Sequence, residues 1–179
     1  MAKYFETFPK RQYDLENNGN VKIVTDIFRR LKVRESIKDK LAMFSFYDVQ
    51  DGDTPESISY KHFGTTDYFW VICLMNDISD RYYDWPLSNS SFETYVTNKY
   101  TNPQAVHHYE KVQSSGDTTS NGPADYDHMI EVNSTDSDGQ SVSNYEYELR
   151  EQDRKRQIKL LDKAYLNLFV EEFETLVKR

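Results

Sequence analysis

Residues 43–88 read MFSFYDVQDGDTPESISYKHFGTTDYFWVICLMNDISDRYYDWPLS, and at their centre Tyr68-Phe69-Trp70-Val71-Ile72-Cys73-Leu74-Met75 forms the apolar block of an otherwise polar chain. A helix with one buried stripe needs an apolar residue only at every third or fourth position. An almost unbroken run gives a helix that is apolar on nearly all sides, stable in water only when covered from several directions. Burying its seven large side chains is worth roughly 10–20 kcal/mol gross, at about 1.5–3 kcal/mol each. That is an upper bound, because the unfolded chain is itself partly compact. The block is therefore the hub. Its surplus of apolar surface predicts that other subunits complete its burial.

The flanking residues place the hub in a strand–helix–helix–strand unit. Met43 to Val49 alternates apolar and polar, with Phe44, Phe46 and Asp48 on one face of a strand. Gln50-Asp51-Gly52-Asp53 follows as a turn, with Gly52 free to take positive φ. Thr54 then serves as N-cap, Pro55 occupies the first helical position, and Glu56 sits near the positive end of the helix dipole. Gly64 fits the C′ position that closes this helix. Thr65 or Thr66, with Asp67, caps the hub helix, which ends near Asn76-Asp77. Asp84-Trp85-Pro86-Leu87 then returns as the second strand.

Outside this unit the signals are weaker. Residues 1–42 read as an extended arm with isolated aromatics (Tyr4, Phe5, Phe8, Tyr13), a β-prone piece at Val21–Val24 and a short helix from Thr25 or Asp26 through Ile27, Phe28 and Leu31. The arm either docks on a neighbour or folds back on its own core. Arg29, Arg30, Lys32 and Arg34 make the most basic spot of the first half and read as a solvated face. Residues 89–144 combine a helix from Ser90 closed by Asn102-Pro103 with hairpin arms at Val106–Val112 and His128–Val132, joined by Gly/Ser/Thr/Asp-rich connections. Residues 145–179 are helical and charged, with a break at Gln157–Leu161. A last helix follows from Asp162, and its stripe of Leu168, Phe169, Phe173 and Val177 packs on the hub or on a partner chain. The expected class is α+β, with a small βααβ core, an N-terminal arm, an inserted hairpin region and a C-terminal helix.

Composition bounds the function. Hydrophobic content is 37% and aromatic content 15%, and 14 tyrosines supply much of the latter. Tyrosine pairs an apolar ring with a polar tip and suits interfaces. A formal charge of −8 argues against nucleic acid, whose binding surfaces gather Lys and Arg. The N-terminus lacks a signal-peptide core, and no apolar run reaches the ~20 residues of a membrane span. Cytoplasmic synthesis is therefore expected. The single Cys73 lies inside the hub and reads as a small core residue. His107 and His108 are adjacent on a strand, so alternation sends their side chains to opposite faces, away from a shared metal. Asp51-Gly52-Asp53 lacks the remaining ligands of a calcium loop. No carboxylate pair, nucleophile triad or phosphate loop is evident, so no catalytic, metal or cofactor site is assigned.

Asp51-Gly52-Asp53-Thr54, with Ile58, Phe63-Gly64 and Asn76, resembles the LysM βααβ module. That resemblance implies binding of N-acetylglucosamine-containing glycans such as peptidoglycan, here through Asp51, Gly52, Asp53, Thr54 and Ile78. The LysM ending Gly-x-x-Leu-x-Ile-Pro is missing, however, and the second helix is unusually aromatic. Tyr68-Phe69-Trp70-Val71 followed by Asn76-Asp77-x-x-Asp80-x-Tyr82-Tyr83-x-Trp85 resembles instead the small baseplate wedge proteins of contractile-tailed bacteriophages. Thr25–Arg29, Glu151 and Arg156–Leu160 extend that likeness over most of the chain except residues 101–144. This second resemblance implies a structural, non-enzymatic adaptor that joins neighbouring wedges around the tail tube. Its implied partners are other wedge proteins and the sheath-initiating protein, first in the host cytoplasm and then in the virion. Phe69, Trp70, Tyr82, Tyr83, Trp85, Phe169 and Phe173 are the partner-binding candidates; the LysM likeness leaves glycan binding as the alternative.

Overall fold

The computed structural model describes residues 4–34, 41–112 and 129–178. In chain order the elements are β1 (Lys10–Tyr13), β2 (Lys22–Thr25), β3 (Phe44–Asp48), α1 (Pro55–Phe63), α2 (Phe69–Met75), α3 (Asn89–Lys99), β4 (Val106–Val112), β5 (Met129–Val132), β6 (Gln140–Ser143), α4 (Asn144–Arg156), β7 (Gln157–Leu161) and α5 (Lys163–Val177). The class is α+β, as expected. The chain forms two compact units, one of Met1–Trp85 with Arg156–Arg179 and one of Pro86–Lys155.

In the first unit β3 pairs antiparallel with β7, in a register that sets Phe44 opposite Leu161 and Asp48 opposite Gln157. The strand expected at Asp84–Leu87 is not formed, and its place beside β3 is taken by β7. The physical reason lies in the local polar groups. Asp84 turns the chain by accepting hydrogen bonds at Oδ2 from the backbone N–H groups of Ser79 (2.9 Å) and Asp80 (2.8 Å). Trp85 is drawn into the core, and Pro86 has no N–H to offer a ladder.

The caps of α1 form as read. Thr54 Oγ1 accepts from the Ser57 N–H while the Thr54 N–H donates to Ser57 Oγ, a reciprocal capping box. Gly64 closes the helix in the left-handed region at φ 83°. Thr65 caps a short 3-10 turn, Thr66–Tyr68, that leads into α2. Asn76 then ties the end of α2 to β7. Its Nδ2 donates to Lys159 O (2.9 Å), and its Oδ1 accepts from Lys159 N (2.8 Å).

The chain itself wraps the hub helix. Trp70 is 4% exposed and Val71 fully buried, and Ile72 and Met75 are buried as well. On one side lie Phe8, Leu161, Leu166, Phe173 and Val177; on the other are Val49, Ile58, Trp85, Ile158 and Leu160. Tyr4 closes over the first cluster, with ring centroids 5.5 Å from both Trp70 and Phe173, and Trp70 lies 4.5 Å from Phe173. The N-terminal segment thus folds back on its own core, and α5 packs on the hub through Phe169, Phe173 and Val177. The expectation that other subunits must finish burying α2 is corrected for Trp70, Val71, Ile72 and Met75, which residues distant in sequence cover, whereas Phe69 stays exposed and Cys73 and Leu74 are half-buried.

After this anchor the chain leaves the core as the β1–β2 hairpin, paired from Lys10↔Thr25 to Tyr13↔Lys22. The short helix expected through Ile27, Phe28 and Leu31 is absent. Asp26 is buried as an acceptor for Arg11 (2.7 Å) and Arg29 (3.2 Å) rather than capping a turn. Phe46 projects from β3 into solvent, while Tyr47 and Val49 on the opposite face meet the core.

The second unit has a three-stranded sheet in the order β5-β4-β6, with α3 and α4. The β4–β5 pairing matches the hairpin read from sequence, although His128 and residues 113–127 lie outside the described residues. Strand β6 falls in a stretch too polar to be read as one. Its apolar core is small (Phe92, Val96, Val142), and three buried polar side chains accompany it: Glu110, Glu148 and Gln152. Glu148 Oε1 receives Lys99 Nζ and the Tyr100 hydroxyl, each at 2.7 Å, and Arg150 donates to both oxygens of Glu110 at 2.8 Å. Buried charges persist only when paired and hydrogen-bonded in this way.

Candidate interaction surface

The Asn76–Trp85 loop is shaped by its own polar residues. Ile78 N–H donates back to Cys73 O (2.9 Å), Asp84 closes the turn as described, and Asp80 Oδ1 accepts from the Tyr82 N–H (2.9 Å). Trp85 Nε1 reaches across to Asp53 O (2.9 Å), and Arg81 bonds Glu56 Oε1 (2.7 Å), so the loop is fastened to the start of α1. The loop presents Tyr82 (87% exposed) and Tyr83 (76% exposed) side by side to solvent. Holding two aromatic rings outward on a tied loop reduces the entropy lost when a partner covers them.

The neighbouring turn, Gln50–Thr54, is already occupied by internal bonds. Asp53 Oδ2 accepts from the Tyr47 hydroxyl (2.7 Å) and Oδ1 meets Lys61 Nζ (2.6 Å). Burial pushes the Asp53 carboxyl up, but the Lys61 and Tyr47 hydrogen bonds outweigh it and hold it below the usual carboxylate range. Thr54 serves as cap, and Ile78 packs on the Trp85 cluster. Among the residues assigned to glycan binding, Asp51 and Gly52 are the exposed ones.

Of the partner-binding candidates, Tyr82, Tyr83 and Phe69 are on the surface. Phe169 is partly covered, and Trp70, Trp85 and Phe173 are core. Offering those three to a partner is corrected by their burial within the chain. Phe69 lies in an open groove of about 750 Å³ lined also by Tyr4, Phe5, Lys10, Thr25 and Glu56. The groove therefore runs between the base of the β1–β2 hairpin and the residue that anchors Arg81.

Sequence reasoning placed Tyr13 on an arm that docks or folds back, but missed the rest of the hairpin and the segment after it as a surface. Tyr13, Leu15, Val21, Ile23, Ile27 and Phe28 are all at least half exposed, Phe28 at 91%. Their signal was the concentration of large apolar residues beside the basic run in an acidic chain.

His107 and His108 also depart from expectation. A register shift between Val106 and His108 breaks the strand's alternation, and the two Nδ1 atoms lie 2.9 Å apart, one donating to the other. His107 stacks on Tyr147 with centroids 4.0 Å apart. Among the described residues no group of three or more His, Cys, Asp or Glu side chains is placed to hold a metal ion, and no helix is long and apolar enough to cross a membrane. Burial, followed by the Glu56 charge, pushes the Cys73 thiol up to about 11, which leaves it protonated at neutral pH.

Comparison with known proteins agrees with the resemblance to baseplate wedge proteins. The baseplate wedge protein gp53 of Enterobacteria phage T4 is 25% identical over 188 aligned residues, covering 98% of this chain and 95% of that protein. The family described as base plate wedge protein 53 matches residues 3–115, more than half the chain. This protein belongs to the base plate wedge protein 53 family, as a structural component of the phage tail baseplate.

Proposed function

We propose that the chain joins neighbouring baseplate wedges, using the first unit as a rigid adaptor and the Tyr82–Tyr83 loop with the Phe69 groove as docking surface. The observation that carries this reading is the outward display of two tyrosines on a loop that Asp80, Arg81, Asp84 and Trp85 hold in shape. Two rings so exposed on a fixed loop offer apolar area to a neighbour, and aromatic residues are enriched where proteins meet. The β3-α1-α2-β7 arrangement is the LysM-like core of this adaptor, with residues 86–155 inserted before its second strand. Its partners are other wedge proteins and the sheath-initiating protein, met in the host cytoplasm during assembly. The adaptor has no catalytic role.

Glycan binding is the competing reading, favoured by the Trp85 Nε1–Asp53 O bond that ties the tyrosine loop to the Asp51–Thr54 turn. The protein-docking reading is preferred because Asp53 and Thr54 are engaged internally. The test is binding of the purified chain and its Tyr82→Ala/Tyr83→Ala variant to wedge complexes assembled without it, beside titration with chitin oligomers. Loss of wedge binding by the variant, with no saturable oligomer binding, is expected. Undiminished wedge binding, or glycan binding that the variant loses, overturns the proposal.

A further inference from the structure

The segment from Lys10 to Arg34 differs from the rest of the molecule in charge as well as in exposure. It holds seven Lys or Arg and three acidic residues, within a chain of formal charge −8. The acidic balance therefore lies elsewhere. Within the segment, Asp26 accepts from Arg11 and Arg29, whereas exposed Lys10, Lys22 and Arg30 have no ion pair among the described residues.

Both faces of the hairpin carry apolar side chains in water. The register puts Ile23 with Gln12 on one face and Val24 with Arg11 on the other, so Ile23 (70% exposed) and Val24 (40%) point opposite ways. Strands β1 and β2 pair only with each other among the described residues, which leaves both outer edges open. A two-stranded hairpin without a covered face is marginal in water. Exposed strand edges are also templates for association. Phe28 stands just beyond, almost wholly in solvent.

We infer that the Lys10–Arg34 segment is a second docking element, which seats on an acidic, apolar-centred surface of another baseplate protein. The occupant follows from complementarity. Ile23, Val24, Ile27 and Phe28 call for an apolar centre, and the unpaired Lys10, Lys22 and Arg30 call for carboxylates at its rim. A second copy is disfavoured by the strong acidity shared by every copy, which raises long-range repulsion between them. This inference rests on the adaptor reading and supplies what an adaptor needs, a contact separate from the tyrosine loop.

The experiment uses the full chain, wedge complexes assembled without it, and the Lys22→Glu/Arg30→Glu variant, which leaves the Phe69 groove and its Lys10 unchanged. Binding is measured at low and high salt, with carbodiimide coupling to join lysines to touching carboxylates. The expected result is at least a tenfold loss of affinity in the variant, a shallower salt dependence, and coupling of Lys22 of the parent chain to Asp or Glu of another wedge protein. Unchanged affinity and salt dependence overturn the inference. So does coupling only to a second copy, or a hairpin-dependent gain of binding to anionic vesicles or duplex DNA in place of the wedge complex. If Tyr82→Ala/Tyr83→Ala abolishes binding while the charge-reversed chain binds normally, the hairpin inference fails and the adaptor reading stands. If neither variant weakens binding, both fail. A Phe28→Ser variant, altering a side chain outside the core, provides a second reading should the charge-reversed variant fold poorly.

Discussion

Replacing Asn76 should damage the first unit more than its position at a helix end suggests. Its amide bridges two segments 83 residues apart, donating to Lys159 O at 2.9 Å and accepting from Lys159 N at 2.8 Å. It acts as a one-residue strand on the side of β7 away from β3. A third bond, to Ile72 O at 2.9 Å, is partly duplicated by the Asn76 backbone N–H, so it adds little. Each bridging bond is worth about 0.5–1.5 kcal/mol net, and removing the amide also leaves two partly buried backbone groups without that partner. Asn76→Ala should therefore cost about 2–4 kcal/mol. Asn76→Asp should cost at least as much, since it keeps the acceptor, loses the donor, and sets a carboxylate against two carbonyl oxygens. The assay is tryptophan fluorescence during denaturation. Trp70 and Trp85 are the two tryptophans of the chain and both lie in the first unit, so the signal reports that unit without the second. For a chain this size the loss corresponds to a midpoint lower by about 5–15 °C. An Asn76→Ala protein within 0.5 kcal/mol of the parent, or an Asn76→Asp protein as stable as the parent, would refute the reasoning.

The remaining predictions concern the core, the pH dependence and the thiol. Phe8→Ala should cost about 3–5 kcal/mol by the same fluorescence assay, whereas Phe28→Ala should stay within about 0.5 kcal/mol, since one ring is core and the other is in solvent. Gly64→Ala should cost about 1–2 kcal/mol from backbone strain at φ 83°, no atom standing in the way of the added methyl. Burial pushes Glu148 up, yet Lys99 and Tyr100 outweigh it and lower its carboxyl in the folded chain, as Lys61 and Tyr47 do for Asp53. Both groups bind protons more weakly folded than unfolded, so their stabilisation is complete above about pH 5 and is lost as pH falls below 4. Calorimetry from pH 7 to 3 should show this fall, and Glu148→Gln should flatten it. Cys73 should react with a disulfide reagent at pH 8 at least tenfold more slowly in the folded chain than in denaturant.

Local signals carried the first half of the core into view. The Thr54 cap, the Gly64 terminator, the Asp162 cap and the β-prone run Gln157–Leu161 are all written in neighbouring residues. What stayed hidden was non-local. Nothing near Asp84–Leu87 announces that β7, beyond a 70-residue insertion, will pair with β3. For the same reason the apolar excess of α2 was assigned to other subunits, although Tyr4, Phe8 and Phe173 supply its cover. Strand β6 escaped because Gln140-Ser141-Val142-Ser143 has a single apolar residue, and its pairing with β4 sets its conformation. At the candidate surface, Tyr82 and Tyr83 were legible from the loop motif. Trp70, Trp85 and Phe173 are equally aromatic, and composition cannot distinguish a ring that fills a core from one that faces a partner.

The most direct test of the account is amide hydrogen exchange of this chain alone and within the assembled baseplate. The account predicts that assembly slows exchange in residues 10–34 and 76–85 while leaving the already protected α2 unchanged. Exchange in both segments as fast in the baseplate as in the isolated chain would contradict it.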